Sequence, residues 1–268
     1  MKGAPQIESR SAPIRRLAIA SIAGQLVWIA IVVLAGLLEP GYSESRDAIS
    51  FLGARTAVRP WLFDTGVAIW GASFIACAVA LALDAPRSLR GWLGPGLIAL
   101  TGLAQILDGF PFPADCRRTI DPGCHARELA GSISWRHVAH GWAYFLGAVA
   151  LELSVFAMAW RLRDDPRWGR SGLLAFGAGL FGLAIFGALF FAAGKGAEGH
   201  YGLVQRLTLT AGGIWVAALT IGLLAIHGRS RDRAVRLVEW IRSTVPGGRL
   251  VVQPGSGLEP ASLRPPPR

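Results

Sequence analysis

Six stretches of this chain carry almost no charge, and their lengths dictate what it can fold into. Residues 17–38, 65–83, 91–107, 171–194 and 207–226 contain no Asp, Glu, Lys or Arg, and residues 137–160 contain one, Glu152. A bilayer's hydrocarbon core, about 30 Å thick, is crossed by roughly 17–25 helical residues, so each run is of spanning length. Inside lipid the backbone polar groups must be satisfied within the segment, which makes each run a helix. The expectation is an all-α, polytopic bundle of six transmembrane helices. The first run exceeds the roughly 7–15 residues of a signal-peptide core and lacks an A-x-A exit, so it counts as a span.

Composition supports the same class. Only 16% of the residues are charged, mean hydropathy is +0.43 and the formal net charge is +10, whereas a soluble domain carries about 25% charged residues. The positive charge is explained by topology rather than by nucleic acid, which is not expected as a partner. With both termini inside, 18 of the 27 Lys and Arg fall on inner segments. That bias sets an N-in, C-in orientation in a bacterial inner membrane, with membrane lipids as partners. Trp61, Trp92, Trp135, Trp142, Trp160 and Trp168 fall near the run ends, as an interfacial belt would. Outer loops then cover 39–64, 108–136 and 195–206, and inner turns cover 84–90 and 161–170.

The chain divides into a basic cytoplasmic N-terminus (1–16), a membrane domain (17–228), a basic amphipathic segment (229–245) and a Gly- and Pro-rich tail (246–268) expected to be disordered. The amphipathic segment reads either as an interfacial C-terminal helix or as a solvated one. Ala68, Ala72, Ala76 and Ala80 recur every four residues in the second run. Such spacing lets helices approach closely within a bundle, and homo-oligomerisation is left open.

One outer loop is chemically dense: Phe112–Glu128, FPADCRRTIDPGCHARE. Cys116 and Cys124 flank a Pro-Gly turn, and an oxidising compartment favours a disulfide there; a metal site with His125 and free thiols are the alternatives. His137 and His140 are neighbours on one helix face. Asp108 and Asp115 precede them, and Gln205 and Arg206 open the last run. Glu152 lies deep in its run, where an ionised carboxylate needs a partner or a proton. Arg161 and Arg163 are the candidate partners.

Four motifs in order, ISFLGA (Ile49–Ala54), FPAD (Phe112–Asp115), HG (His140-Gly141) and GLVQRL (Gly202–Leu207), resemble the bacterial and archaeal membrane family catalogued as domain of unknown function 998. The resemblance covers residues 15–228 and implies a six-helix membrane bundle without assigned chemistry. Its motif residues here are Ser50, Gly53, Asp115, His140 and Arg206. Phe51 stands where the pattern has an acid and Gln205 where it has Glu, so a catalytic or proton-relay role does not carry over. More distantly, the I-S-x-x-G loop is similar to the damage-regulated autophagy modulators, which are linked to lipid remodelling.

The expected function is to bind or handle a lipid or amphipathic small molecule in an extracytoplasmic polar pocket. Asp115, His140 and Arg206 form its floor, with Ser50, Asp108, His137 and Gln205 around them. No cofactor or metal is assigned, and whether any reaction is catalysed stays open. Two alternatives stand beside it: a metal-dependent hydrolase or transferase using Asp115, His137 and His140, and a small proton-coupled transporter using Glu152.

Overall fold

The computed structural model describes residues 4–169, 171–194 and 200–244. Among them there is no strand. Seven α-helices follow one another: α1 (Ala4–Leu38), α2 (Pro60–Asp84), α3 (Leu89–Gly109), α4 (Cys124–Leu129), α5 (Trp135–Leu162), α6 (Ser171–Gly194) and α7 (Tyr201–Thr244). Short 3-10 turns occupy Ile49–Gly53 and Pro166–Trp168. Each uncharged run lies within one of the six long helices.

Among the described residues, four stretches are long and apolar enough to cross a membrane: Ser11–Leu38, Pro60–Asp84, Trp135–Leu162 and Tyr201–Gly228. In α6 the described side chains are apolar over Ser171–Ile185. α3 holds five Gly, which lower its hydropathy and let it press closely on both α2 and α5.

The helices overrun the uncharged runs because caps, not charges, set their ends. Ser88 opens α3 by accepting from the Gly91 N–H at 3.2 Å, and Ser134 opens α5 by accepting from the His137 N–H at 3.3 Å; both are favoured N-cap residues. Pro60 opens α2, where its missing N–H is no loss.

α2 and α3 cross with backbones in contact. A Cβ on Gly71 would collide with the Gly102 carbonyl, and one on Gly102 with that of Gly71. The Thr101 hydroxyl then joins α3 to α5 by donating to the Gly147 carbonyl at 3.1 Å. The centre is aromatic: Trp28 stacks on Trp70 at 5.1 Å, with Phe63 and Phe74 edge-on. Cys77 is buried here, as an apolar thiol would be. Of the six tryptophans expected in a belt, Trp61, Trp92, Trp135, Trp142 and Trp160 are exposed, while Trp168 is 8% exposed because its ring packs on Gly222.

At the far end of α2, Asp84 gathers Arg167 (2.9 Å), His227 Nε2 (3.1 Å) and Arg161 (3.5 Å). That one carboxylate ties α2 to α5, α7 and the turn after α5. Of the C-terminal unit, Gly228–Arg268, the helical residues to Thr244 are described, so the amphipathic segment is helical to that point. Val245, the tail 246–268 and residues 195–199 of the third outer loop lie outside the described residues.

Candidate functional site

At the opposite end, where α1 and α3 stop and α2, α5 and α7 begin, two loops interlock into a cap. The Arg55 N–H donates to the Ala114 carbonyl at 2.9 Å. Arg117, its side chain 10% exposed, pairs with Glu39 and, at 2.7 Å, with Asp121. The second Glu39 oxygen accepts from the Val58 N–H at 2.9 Å, and Thr56 donates to Asp121. Asp47 is fully buried, accepting from the Ser43 N–H (2.6 Å), Arg46 Nε (2.8 Å) and the Thr119 hydroxyl. Burial alone would raise the pKa of Asp47 and Asp121, but these donors hold both below the usual carboxylate value. Cys116 and Cys124 are bonded to each other, Cα–Cα 5.9 Å, around the Gly123 turn. The disulfide therefore displaces the metal and free-thiol readings.

The sequence motifs prove to be fastenings of this cap. Gly202 brings α7 against the first loop; a Cβ there would lie 2.7 Å from the Glu44 carbonyl oxygen. Gln205 accepts from the buried Ile49 N–H at 2.7 Å. Arg206 donates to the Glu44, Asp47 (3.1 Å) and Gly202 (3.1 Å) carbonyls and to the Tyr42 hydroxyl. Asp115 accepts from the Ser134 N–H (2.6 Å) and hydroxyl (2.8 Å), with Arg55 at 3.7 Å. Burial raises its pKa, but Ser134, His137 and Arg55 together bring it below normal. The Asp115 N–H donates to His137 Nδ1 at 3.1 Å, which leaves the ring proton on Nε2, facing Glu128 at 3.4 Å.

His140 has a different task. Its Nδ1 lies 3.0 Å from the Asp108 carbonyl and 3.1 Å from that of Phe112. Carbonyls only accept, so Nδ1 carries the proton. The Asp108 carboxylate is also 3.0 Å away, and its side chain is 4% exposed. Asp64, at the start of α2, shares this electrostatic neighbourhood. A cavity of about 10 Å³, room for one water, sits beside it, lined by Ser50, Gln105, Asp108, Tyr144 and Gln205 with Trp28 and Trp70 behind.

The residues expected around one pocket thus fall into three settings. Ser50, Asp108 and Gln205 converge on the small cavity, with His140 on Asp108. Asp115 and His137 hold the second loop to α5. Arg206 clamps the first loop to α7. Asp115, His140 and Arg206 each have their own partners, because each closes the backbone of a different chain segment. Among the described residues no three His, Cys, Asp or Glu side chains are grouped to hold a metal ion. Residues that sequence reasoning missed, Glu39, Asp47, Asp64 and Tyr42, flank the runs without any periodic signal.

Two larger clefts flank α7. One, about 390 Å³, runs between α1 and α7, walled by Ile22, Leu26, Ile29 and Leu209, with Glu44 and Arg206 at its cap end. The other, about 490 Å³, lies between α5, α6 and α7 and contains Glu152. The expected arginine partners do not reach Glu152: Arg161 is drawn to Asp84 and Arg163 to Asp164 at 3.6 Å.

A family model described as "Protein of unknown function (DUF998)" matches residues 22–222. No curated protein and no solved structure matches the chain. The likeness to the autophagy modulators therefore rests on its one motif.

Proposed function

The chain belongs to the DUF998 family and is an integral membrane protein, and from that premise we propose that it binds a phospholipid, headgroup at Arg206 and acyl chain in the cleft between α1 and α7. In this reading six helices span the bacterial inner membrane, N-in and C-in, and the cap faces the extracytoplasmic side. The Lys and Arg bias supports that orientation, and so does a disulfide in the cap, which belongs in an oxidising compartment.

The observation that carries the proposal is a cleft of ligand-pocket size, within the usual range of about 300–1,000 Å³, that ends at the Arg206 guanidinium with Glu44 beside it. Every hydrogen-bond partner of Arg206 among the described residues is neutral: three carbonyls and a phenol. Burial pushes Tyr42 up to about 12 despite the opposing pull of Arg206, so the phenol stays neutral too. A guanidinium in this state attracts a phosphate. An acyl chain gains little by leaving bulk lipid for an apolar cleft, so selectivity must come from the headgroup. His140 and Asp115 serve this site indirectly, by holding the cap on which Arg206 acts.

Native mass spectrometry of the detergent-purified protein tests this. The wild type should retain one phospholipid per chain. Arg206→Gln should cut retention about tenfold, and Ala217→Phe, which fills the cleft away from the cap, should abolish it. Equal retention by wild type and both variants, with unchanged melting temperature, excludes the proposal.

A further inference from the structure

We infer that the cleft between α5, α6 and α7 is a second site, which takes a cationic amphiphile headed by a protonated amine, with Glu152 as its counter-ion. Among the roughly twenty described residues lining this cavity of about 490 Å³, Glu152 is the sole charged one. Its Oε2 is buried and has no hydrogen-bond partner among the described residues. α6 makes room for the carboxylate with a glycine: a Cβ on Gly182 would lie 2.7 Å from Oε1 and 2.9 Å from Oε2. Glu152 is seventeen residues into α5, about 25 Å along the helix axis, where a lone ionised carboxylate in lipid demands a compensating positive charge. With Arg161 and Arg163 engaged elsewhere, the described residues supply none.

The walls select among cations. Trp168, Phe181 and Trp215 line the cavity, and aromatic faces attract an ammonium. Leu174, Phe181, Leu207 and Ile214 are exposed around the cleft, so a hydrophobic tail enters sideways from the bilayer. An anionic headgroup is repelled by Glu152, and a neutral alcohol leaves the carboxylate uncompensated. The site shares Thr210 and Ile214 of α7 with the Arg206 cleft but is opposite in charge and tested with different variants and ligands, so either can fail alone.

The test uses the full-length protein in phosphatidylcholine nanodiscs, titrated with dodecylammonium, dodecanol and dodecanoate. Wild type should bind one dodecylammonium saturably, about tenfold or more tighter than dodecanol, with no saturable binding of dodecanoate. Glu152→Gln, equal in size and neutral, should bring dodecylammonium down to the dodecanol level. Gly182→Leu, which fills the space beside the carboxylate, should remove binding of both. A measurement on unsubstituted protein stands beside these: labelling of Glu152 by dicyclohexylcarbodiimide should be slowed by dodecylammonium and not by dodecanol. Equal amine affinity in wild type and Glu152→Gln, a preference for dodecanoate, or labelling that dodecylammonium leaves unslowed would each overturn the assignment.

Discussion

Arg117 and Glu39, 78 residues apart in the chain, meet with 10% and 5% of their side chains exposed. Such a pair adds little net stability over an apolar pair, yet removing one partner strands a buried charge at a cost of about 3–5 kcal/mol. Both ends here keep one other polar partner, Asp121 for Arg117 and the Val58 N–H for Glu39. Arg117→Met and Glu39→Met should therefore each destabilise the protein toward the lower end of that range. The double variant should lose clearly less than the sum, and denaturant melts of the three variants in detergent measure this. A strictly additive double variant would show that the two side chains act separately. At this scale the sequence named many of the right residues and few of their partners. Asp115, His140, Gln205 and Arg206 stood out because they break apolar surroundings. Their partners are mostly backbone groups of other segments: Ser134 N–H, the Asp108 and Phe112 carbonyls, Ile49 N–H, the Glu44 carbonyl. Backbone groups are identical at every position, so no residue type announces them.

Helix contacts raise the same difficulty one level up. The Ala68, Ala72, Ala76, Ala80 spacing in α2 is real, but Ala72 is exposed and Ala80 buried, so the stripe winds around the helix. The closest crossing is made by Gly71 against Gly102 of α3. Small residues are frequent in any membrane helix, and spacing alone does not tell which of them face a neighbouring backbone. Substitution separates them. Gly102→Val forces the two backbones apart and should destabilise by about 1–3 kcal/mol or more, the usual penalty of overpacking. Ala72→Val, on the exposed side of α2, should stay within about 0.5 kcal/mol of wild type. Thermal melts in one detergent compare them directly, and similar losses at both positions would place the crossing elsewhere. Helix existence, by contrast, was legible from charge-free length, since lipid permits no other structure for such runs. Their ends were legible only in the capping residues Ser88, Ser134 and Pro60, which an argument from charge passes over.

For the molecule as a whole, one end of the helices is held by a cap of loops and the other by the Asp84 cluster, and acid acts on the cap in a definite direction. The donors around Asp47, Asp115 and Asp121 hold all three carboxyls below the usual carboxylate value. Carboxylates depressed by folding stabilise the protein fully above their unfolded pKa and lose that contribution as pH falls through the folded one. The contribution of these three carboxylates to melting temperature should accordingly hold level from pH 8 to about 5, then fall steadily below about pH 4 as all three protonate. The disulfide acts on the same cap by another route. It closes a loop of eight residues' separation between Cys116 and Cys124, which in the chain-entropy account is worth about 2–3 kcal/mol. A disulfide constrains the unfolded chain and carries no titratable charge, so its effect should not depend on pH. The Cys116→Ser/Cys124→Ser variant should therefore melt lower than wild type by a constant offset across the whole range, with the same fall below pH 4. An offset that shrinks in acid would mean that the cap has already opened around Asp121 before the rest of the protein unfolds. In that case the loops, rather than the bundle beneath them, set the limit of acid stability.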